Sequence, residues 1–210
     1  MQLNLLNLGL IPFEEALGFQ KELHLRAREG NISQSLILCR HMPVITLGRS
    51  ADKKNILASE EELNKMMIKV IRTERGGDAT YHGPGQEIIY PILNLNNFKK
   101  DIRWFLRGLE EVIIRSLSVY GLQGKRFSGF TGVWINQRKI ASIGIAIKNW
   151  TTFHGVSLNL LSSDLTNYKL IRPCGMDISM TSLEDELGRI IDFKEIEENL
   201  VNKFSGVFNN

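Results

Sequence analysis

A chain of 210 residues, 43% hydrophobic and 23% charged, can bury a sizeable core and falls within the size of one globular unit, so a single catalytic domain over residues 1–210 is expected. Its 26 Lys and Arg against 23 Asp and Glu leave a formal charge of only +3, and the two signs alternate along most of the chain, which argues against a nucleic-acid-binding stripe. No stretch approaches the roughly 18 apolar residues of a membrane span, the first thirty residues lack the basic start and apolar block of a leader, and two cysteines are too few for a disulfide framework; a cytoplasmic protein with two free thiols is expected.

In chain order, residues 3–10 read as a short strand, followed by a helix opening at Pro12, whose fixed φ and missing N–H suit a first turn. Phe13, Ala16, Leu17, Gln20, Leu23 and Ala27 recur at helical spacing, and Gly30 stops the run. Residues 35–40 and 44–47 read as strands separated by a turn at Met42-Pro43. Ser59 with Glu62 has capping-box spacing and begins a second helix, after which residues 70–73 return to strand. Residues 76–86, GGDATYHGPGQ, hold four glycines and a proline, and predict a shaped loop before a strand resumes at Ile88.

The clearest helix follows Asp101, with Ile102, Phe105, Leu106, Leu109, Val112, Ile113 and Leu117 on one face and Gly121 as its stop. Residues 133–135 and 139–148 form a hairpin around Asn136-Gln137-Arg138, with Lys139 opening the second strand, and residues 153–160 add another. Asp192 and Glu195 cap a last helix carrying Phe193, Ile196, Leu200 and Phe204. Helices are few and strands adjoin one another, so the fold class is α+β, with a mostly antiparallel sheet flanked by helices.

The two cysteines differ in context. Cys39 ends the apolar run Leu36-Ile37-Leu38 and reads as a buried small hydrophobe. Cys174 stands between Pro173, which stiffens the chain, and Gly175, which leaves backbone N–H groups open to a substrate oxygen. Its local sequence admits both a nucleophile and a structural thiol. An unperturbed thiol, with a pKa of about 8.5, is only a few per cent thiolate at neutral pH, so a nucleophilic cysteine needs a cation or a base beside it. Lys139, which precedes the small-residue stretch Ile140-Ala141-Ser142-Ile143-Gly144, has the right chemistry, since an ammonium favours the thiolate and a partly desolvated amine exchanges protons near pH 7.

The glycine-rich loop lacks the Lys-Ser/Thr ending of a phosphate-binding loop and the spacing G-x-G-x-x-G, so nucleotide binding is not its default reading. Arg75, Thr80, Tyr81 and His82 set among glycines suit a substrate cradle, and His154 before Gly155 is a further polar group of this kind. No spaced His/Asp/Glu set argues for a metal, and no cofactor follows.

With these residues in view, the sequence resembles the lipoyl(octanoyl) transferases of lipoate biosynthesis. The run Arg75-Gly76-Gly77-Asp78-Ala79-Thr80-Tyr81-His82-Gly83-Pro84-Gly85-Gln86, ending at Tyr90-Pro91, looks like that family's signature. Lys139-Ile140-Ala141-Ser142-Ile143-Gly144, His154-Gly155-Val156-Ser157-Leu158-Asn159 and Pro173-Cys174-Gly175 look like its later blocks, in order, and weaker similarity covers residues 43–49. Three departures stand out: Glu87 occupies a usually apolar position, Ser157 a common alanine, and Met42 a frequent proline.

The resemblance implies the fold of biotin and lipoate protein ligases and no cofactor. It implies octanoyl-acyl carrier protein as donor, and as acceptors the lipoyl domains of 2-oxoacid dehydrogenases and the H protein of glycine cleavage, with neither nucleic acid nor membrane as partner. It also implies that Cys174 carries the acyl group as a thioester, that Lys139 lowers its pKa and shuttles protons, and that Arg75, Gly76, Gly77, Asp78, Ala79, Thr80, Tyr81, His82, Ser142, Ile143, Gly144, Gly155, Val156 and Ser157 line the substrate site. Three rivals stay open: an ATP-dependent lipoate or biotin ligase, which activates a free acid and needs no cysteine; a related enzyme that passes octanoate between two lipoyl-domain proteins and takes octanoyl-protein as donor; and a non-catalytic module that binds acyl groups or lipoyl domains without turnover.

Overall fold

The periodicities resolve, in a computed structural model that describes residues 3–32, 34–172 and 178–208, into nine strands and five α-helices. Six strands form one sheet in the order β1 (Leu3–Ile11), β2 (Gln34–His41), β6 (Gln86–Leu93), β9 (Thr151–Asn159), β8 (Arg138–Lys148) and β7 (Gly132–Ile135). Only β1 and β2 run parallel, because α1 (Phe13–Arg28) crosses over between them; every other neighbouring pair in this sheet is antiparallel. The expected fold class therefore holds, with one refinement. A second, three-stranded sheet stands apart, in the order β4 (Lys69–Arg72), β3 (Val44–Leu47), β5 (Ala79–His82).

The large sheet is covered on both faces, which explains why β6 and β9 are buried along their whole length. Side chains alternate between two cores along β6: Ile89 and Leu93 join the cluster under α3 (Ile102–Ser118) and α5 (Phe193–Phe208), whereas Ile88, Tyr90 and Ile92 join the cluster under α1. On α3 the period-3.6 stripe buries Phe105, Leu109, Val112, Ile113 and Leu117, while Ile102, expected on the same face, is half exposed as the first residue of the helix. Asp101 caps this helix by accepting from the Trp104 amide at 2.9 Å, and Gly121 leaves it with φ +75°.

The capping box at the start of α2 (Glu60–Lys65) forms as expected, Ser59 Oγ accepting from the Glu62 amide and Glu62 from the Ser59 amide. Four short elements escaped the periodicity, the 3₁₀ segments Lys53–Asn55, Leu95–Asn97 and Ser162–Leu170 and the one-turn helix α4 (Leu183–Leu187). The segment Gly76–Gln86 is not all loop either, since β5 occupies its middle and pairs with β3 from Val44↔His82 to Leu47↔Ala79. Cys39 is buried in the α1-side core, as read. Among the described residues no helix is long and apolar enough to cross a membrane.

Candidate active site

Arg75 opens the glycine-rich segment and shapes it. Its Nη2 donates to the Thr46 carbonyl at 2.6 Å and the Asp78 carbonyl at 2.7 Å, its Nε to Thr46 Oγ1 at 3.0 Å, and its Nη1 to the Gly76 carbonyl at 3.1 Å. A charged planar donor thus ties the carbonyls of Gly76 and Asp78 in the turn to Thr46 of β3. The turn is fixed from outside as well: the amides of Arg49 and Ser50 donate to the carbonyls of Arg75 and Gly77, and the Gly76 amide donates to the Ile145 carbonyl of β8.

Glycines permit two close approaches here, of the turn to β8 and of β9 to β6. A Cβ on Gly144 would lie 3.1 Å from the Gly76 oxygen and 3.2 Å from Arg75 Cδ, and one on Gly155, its partner in register across β8 and β9, would run into the Ile89 oxygen and Pro91 Cδ of β6. Gly155→Ala is therefore expected to force β9 away from β6, destabilising the protein by about 2 kcal/mol. Denaturant unfolding of the variant against the parent checks this, and an unchanged midpoint would show that the strand spacing tolerates the methyl group.

Where the turn meets β5, β6, β8 and β9, the structure holds a cavity of about 470 Å³, within the usual range of roughly 300–1,000 Å³ for small-molecule clefts. Its wall contains Arg75, Gly76, Gly77, Asp78, Ala79, Thr80 and His82 from the glycine-rich segment, Lys139, Ser142, Ile143 and Gly144 from β8, and Gly155, Val156 and Ser157 from β9. Tyr81 is the exception among the described residues expected to line the site. Strand β5 alternates, so Thr80 and His82 share one face, and Tyr81 turns into the core of the small sheet, where its hydroxyl accepts from Asn167 Nδ2 at 2.8 Å. Cys174, with Pro173 and Gly175, lies outside the described residues.

The flanks of that segment are described. Arg172 donates its amide to the Asn55 carbonyl at 2.7 Å, and Asn55 in turn donates its side-chain amide to Asp78 Oδ2 in the cavity wall. On the far side Ile178 itself lines the cavity, and the next residues run beside Lys139: the Lys139 amide donates to the Ser179 carbonyl at 2.8 Å and its carbonyl accepts from the Thr181 amide at 3.0 Å. Lys139 is the second residue of β8 rather than its first, and is 8% exposed.

Two histidines of the wall are neutral. Gln86 donates its side-chain amide to Asn159 Oδ1 and the Tyr168 hydroxyl, each at 3.0 Å, so its oxygen faces His82 Nδ1 at 3.1 Å and that nitrogen carries the proton. Burial, with His41 and the Arg75 guanidinium nearby, pushes the His82 pKa well below its ordinary value. His154 is pushed down to about 4 by burial and by Arg75, which outweigh Glu74. Its Nε2 is 3.9 Å from Glu74, beyond hydrogen-bond reach, and a neutral ring forms no ion pair there. His154 also holds a left-handed backbone, φ +57°, and its amide donates to Gln20 Oε1 at 2.8 Å.

Sequence reasoning missed much of the apolar wall, namely Phe13 of α1, Ile88 and Tyr90 of β6, Leu106 of α3, Phe130 and Ile145. Phe13 and Leu106 read as helix faces and Ile88, Tyr90 and Ile145 as strand residues, while Phe130 drew no reading. Tyr90 carried a faint signal, standing at the end of the glycine-rich signature. Its hydroxyl lies 2.8 Å from His41 Nε2, and since His41 Nδ1 must donate to the Ile11 carbonyl at 3.0 Å, Tyr90 is the donor of the pair.

Comparison with known proteins agrees with this geometry. The family model described as lipoyl protein ligase A/B catalytic domain matches residues 12–205. An octanoyltransferase of Alkaliphilus metalliredigens is 44% identical over 211 residues, covering 100% of this chain and 96% of that protein. An octanoyltransferase of Rubrobacter xylanophilus is 45% identical over 202 residues, covering 95% and 90%. Among solved structures, the bipartite lipoate protein ligase of Thermoplasma acidophilum superposes with a TM-score of 0.76 at 18% identity, covering 99% of this chain and 84% of that one, a likeness of fold.

Proposed function

We propose that this chain, which belongs to the lipoyl protein ligase A/B catalytic-domain family, is an octanoyltransferase that moves an octanoyl group from octanoyl-acyl carrier protein to a lysine of lipoyl domains. Its acceptors are then the lipoyl domains of 2-oxoacid dehydrogenases and the H protein, and it acts in the cytoplasm. The observation that carries the reading is convergence. The glycine-rich turn at 75–78, Lys139, the stretch 142–144 and the stretch 155–157 are dispersed over eighty residues of sequence and wall one cavity.

The chemistry takes two steps. The Cys174 thiolate attacks the carbonyl carbon of the donor thioester; a new C–S bond forms, the old one breaks, and the departing carrier thiolate takes a proton from the Lys139 ammonium. The neutral amine of the acceptor lysine then attacks the Cys174 thioester, an amide forms, Cys174 leaves as thiolate, and the extra proton passes to the Lys139 amine, restoring both groups. Exchanging one thioester for another costs little and aminolysis runs downhill, so no nucleotide is required. Two features support the roles: Arg172, which precedes the Pro173-Cys174-Gly175 block in sequence, is tied to Asn55 beside Asp78, and Lys139 is pinned to residues 179 and 181 that follow it.

Incubation with octanoyl-acyl carrier protein, without ATP or acceptor, is expected to give a hydroxylamine-labile octanoyl adduct on Cys174 by peptide mass spectrometry, discharged when a lipoyl domain is added. Absence of the adduct, with acylation that requires ATP and free octanoate, would identify a ligase instead.

A further inference from the structure

Trp134 of β7 sits directly opposite Lys139 in register, just after an irregularity between Val133 and Trp134. Such a bulge re-aims the side chains that follow it. Here it brings the indole face to 4.9 Å from the Lys139 ammonium. The indole is itself held: Phe127 and Phe130 pack on it at 5.3 and 6.4 Å, its amide and carbonyl pair with Lys125, and it is 5% exposed.

The lysine stem also packs on Gly132 of β7, where a Cβ would fall 2.8 Å from Lys139 Cε. That backbone is fixed by the buried Glu110 carboxylate, which accepts from the Gly132 amide at 3.2 Å, Arg107 Nη1 at 2.7 Å and Arg126 Nε at 3.0 Å. The four-carbon stem, freely jointed on a surface lysine, is confined here by a glycine backbone at its Cε and a ring face that attracts cations at its ammonium.

We propose that Trp134 is a positioning residue for this reaction, whose indole holds the Lys139 ammonium in place in the cavity wall. The inference rests on the reading that Lys139 serves Cys174. The test is single-turnover acylation by octanoyl-acyl carrier protein, followed by intact mass. Trp134→Leu is expected to slow acylation about tenfold, within the range of a desolvated cation–π contact, and Trp134→Phe, which keeps a ring face, to stay within about threefold of the parent. In a Lys139→Ala background, Trp134→Leu should add less than about twofold, because nothing is left for the indole to hold.

An equal loss in both backgrounds overturns the proposal, since it marks general damage to β7. Should Trp134→Leu fail to fold, fluorinated tryptophans at position 134 weaken the ring quadrupole at nearly constant shape. A rate that falls with each fluorine supports the proposal, and a flat series overturns it. A Cys174→Ala protein that still forms the adduct removes the mechanistic reading and this inference with it, whatever the Trp134 series shows.

Discussion

Replacing Cys174 by alanine is expected to reduce octanoyl transfer to background, a loss of at least ~10³-fold, because the variant has no group to carry the thioester and the direct attack of a lysine on a carrier-bound thioester keeps the harder single step. Lys139→Ala should give a smaller loss with a characteristic pH dependence. Without the ammonium the Cys174 thiol reverts toward its ordinary pKa of about 8.5, leaving a few per cent thiolate at pH 7, so ionisation alone costs about 30-fold and is regained as the pH approaches 9. Loss of the proton carrier adds a part that pH does not restore. Initial rates of adduct formation between pH 6.5 and 9 separate the two. Transfer that persists in Cys174→Ala sinks the covalent mechanism, and a Lys139→Ala rate that ignores pH sinks the pairing.

Cys39 provides the internal control for that experiment. It is 1% exposed, burial pushes its thiol pKa well above the ordinary value, and its sulfur lies against the His41 ring at 3.8 Å. Cys39→Ala should leave the adduct in place.

The parts of the fold that were legible in the sequence are those where a periodic apolar face ends in a chemical stop. Helix α3 lies between Asp101 and Gly121, α1 between Pro12 and Gly30, and α5 repeats Ile196, Leu200 and Phe204 at helical spacing. What stayed hidden depends on partners distant in the chain. Strand β5 is four residues long and embedded among glycines, so local signals read as loop, and only pairing with β3 makes it a strand. The division into two sheets is a matter of pairing, on which hydrophobic alternation is silent.

The site divided along the same line. Its glycine-rich turn, Lys139 and the two β8–β9 stretches carried local signals, whereas Phe13, Leu106 and Phe130 are ordinary apolar residues that become cavity wall only through the packing of α1, α3 and the segment before β7. Arg75 was legible as a residue of the site, yet its bonds to Thr46 and to the carbonyls of Gly76 and Asp78 could not be read. Its guanidinium holds the shape of the turn.

Glu87 is the residue whose oddity in the sequence leads furthest in energetics. It faces the same core as Ile89, directly across from Leu158 of β9, with 0% exposure and no hydrogen-bond partner for either carboxyl oxygen among the described residues. Burial, reinforced by the Glu197 charge on α5 and only partly opposed by Arg40, pushes its pKa up to about 9. The group is therefore protonated in the native state at neutral pH and ionised in the unfolded chain. A raised native pKa means that the native state binds the extra proton, so stability is fully present below pH 4.5 and declines as the pH rises through 9.

The window that isolates this effect is set by the other buried groups. His41 and His154, each pushed down to about 4, with His82 pushed well below its ordinary value and His24 also lowered, change stability mainly below about pH 7.5, where the unfolded imidazoles begin to take up protons. Cys39 and Tyr90 act only above about pH 8.5. Between pH 7.5 and 8.5 the unfolding free energy should therefore fall by about 1 kcal/mol, nearly all of it from Glu87. Glu87→Leu, which restores an apolar side chain of similar volume, should flatten that slope and leave the variant more stable than the parent by about 3 kcal/mol at pH 7, less whatever the repacking costs. Denaturant titrations at three pH values across the window test it. Parallel lines for the two proteins would mean that Glu87 is ionised and paired with Arg40 in the native state, and that this part of the core is held by charge.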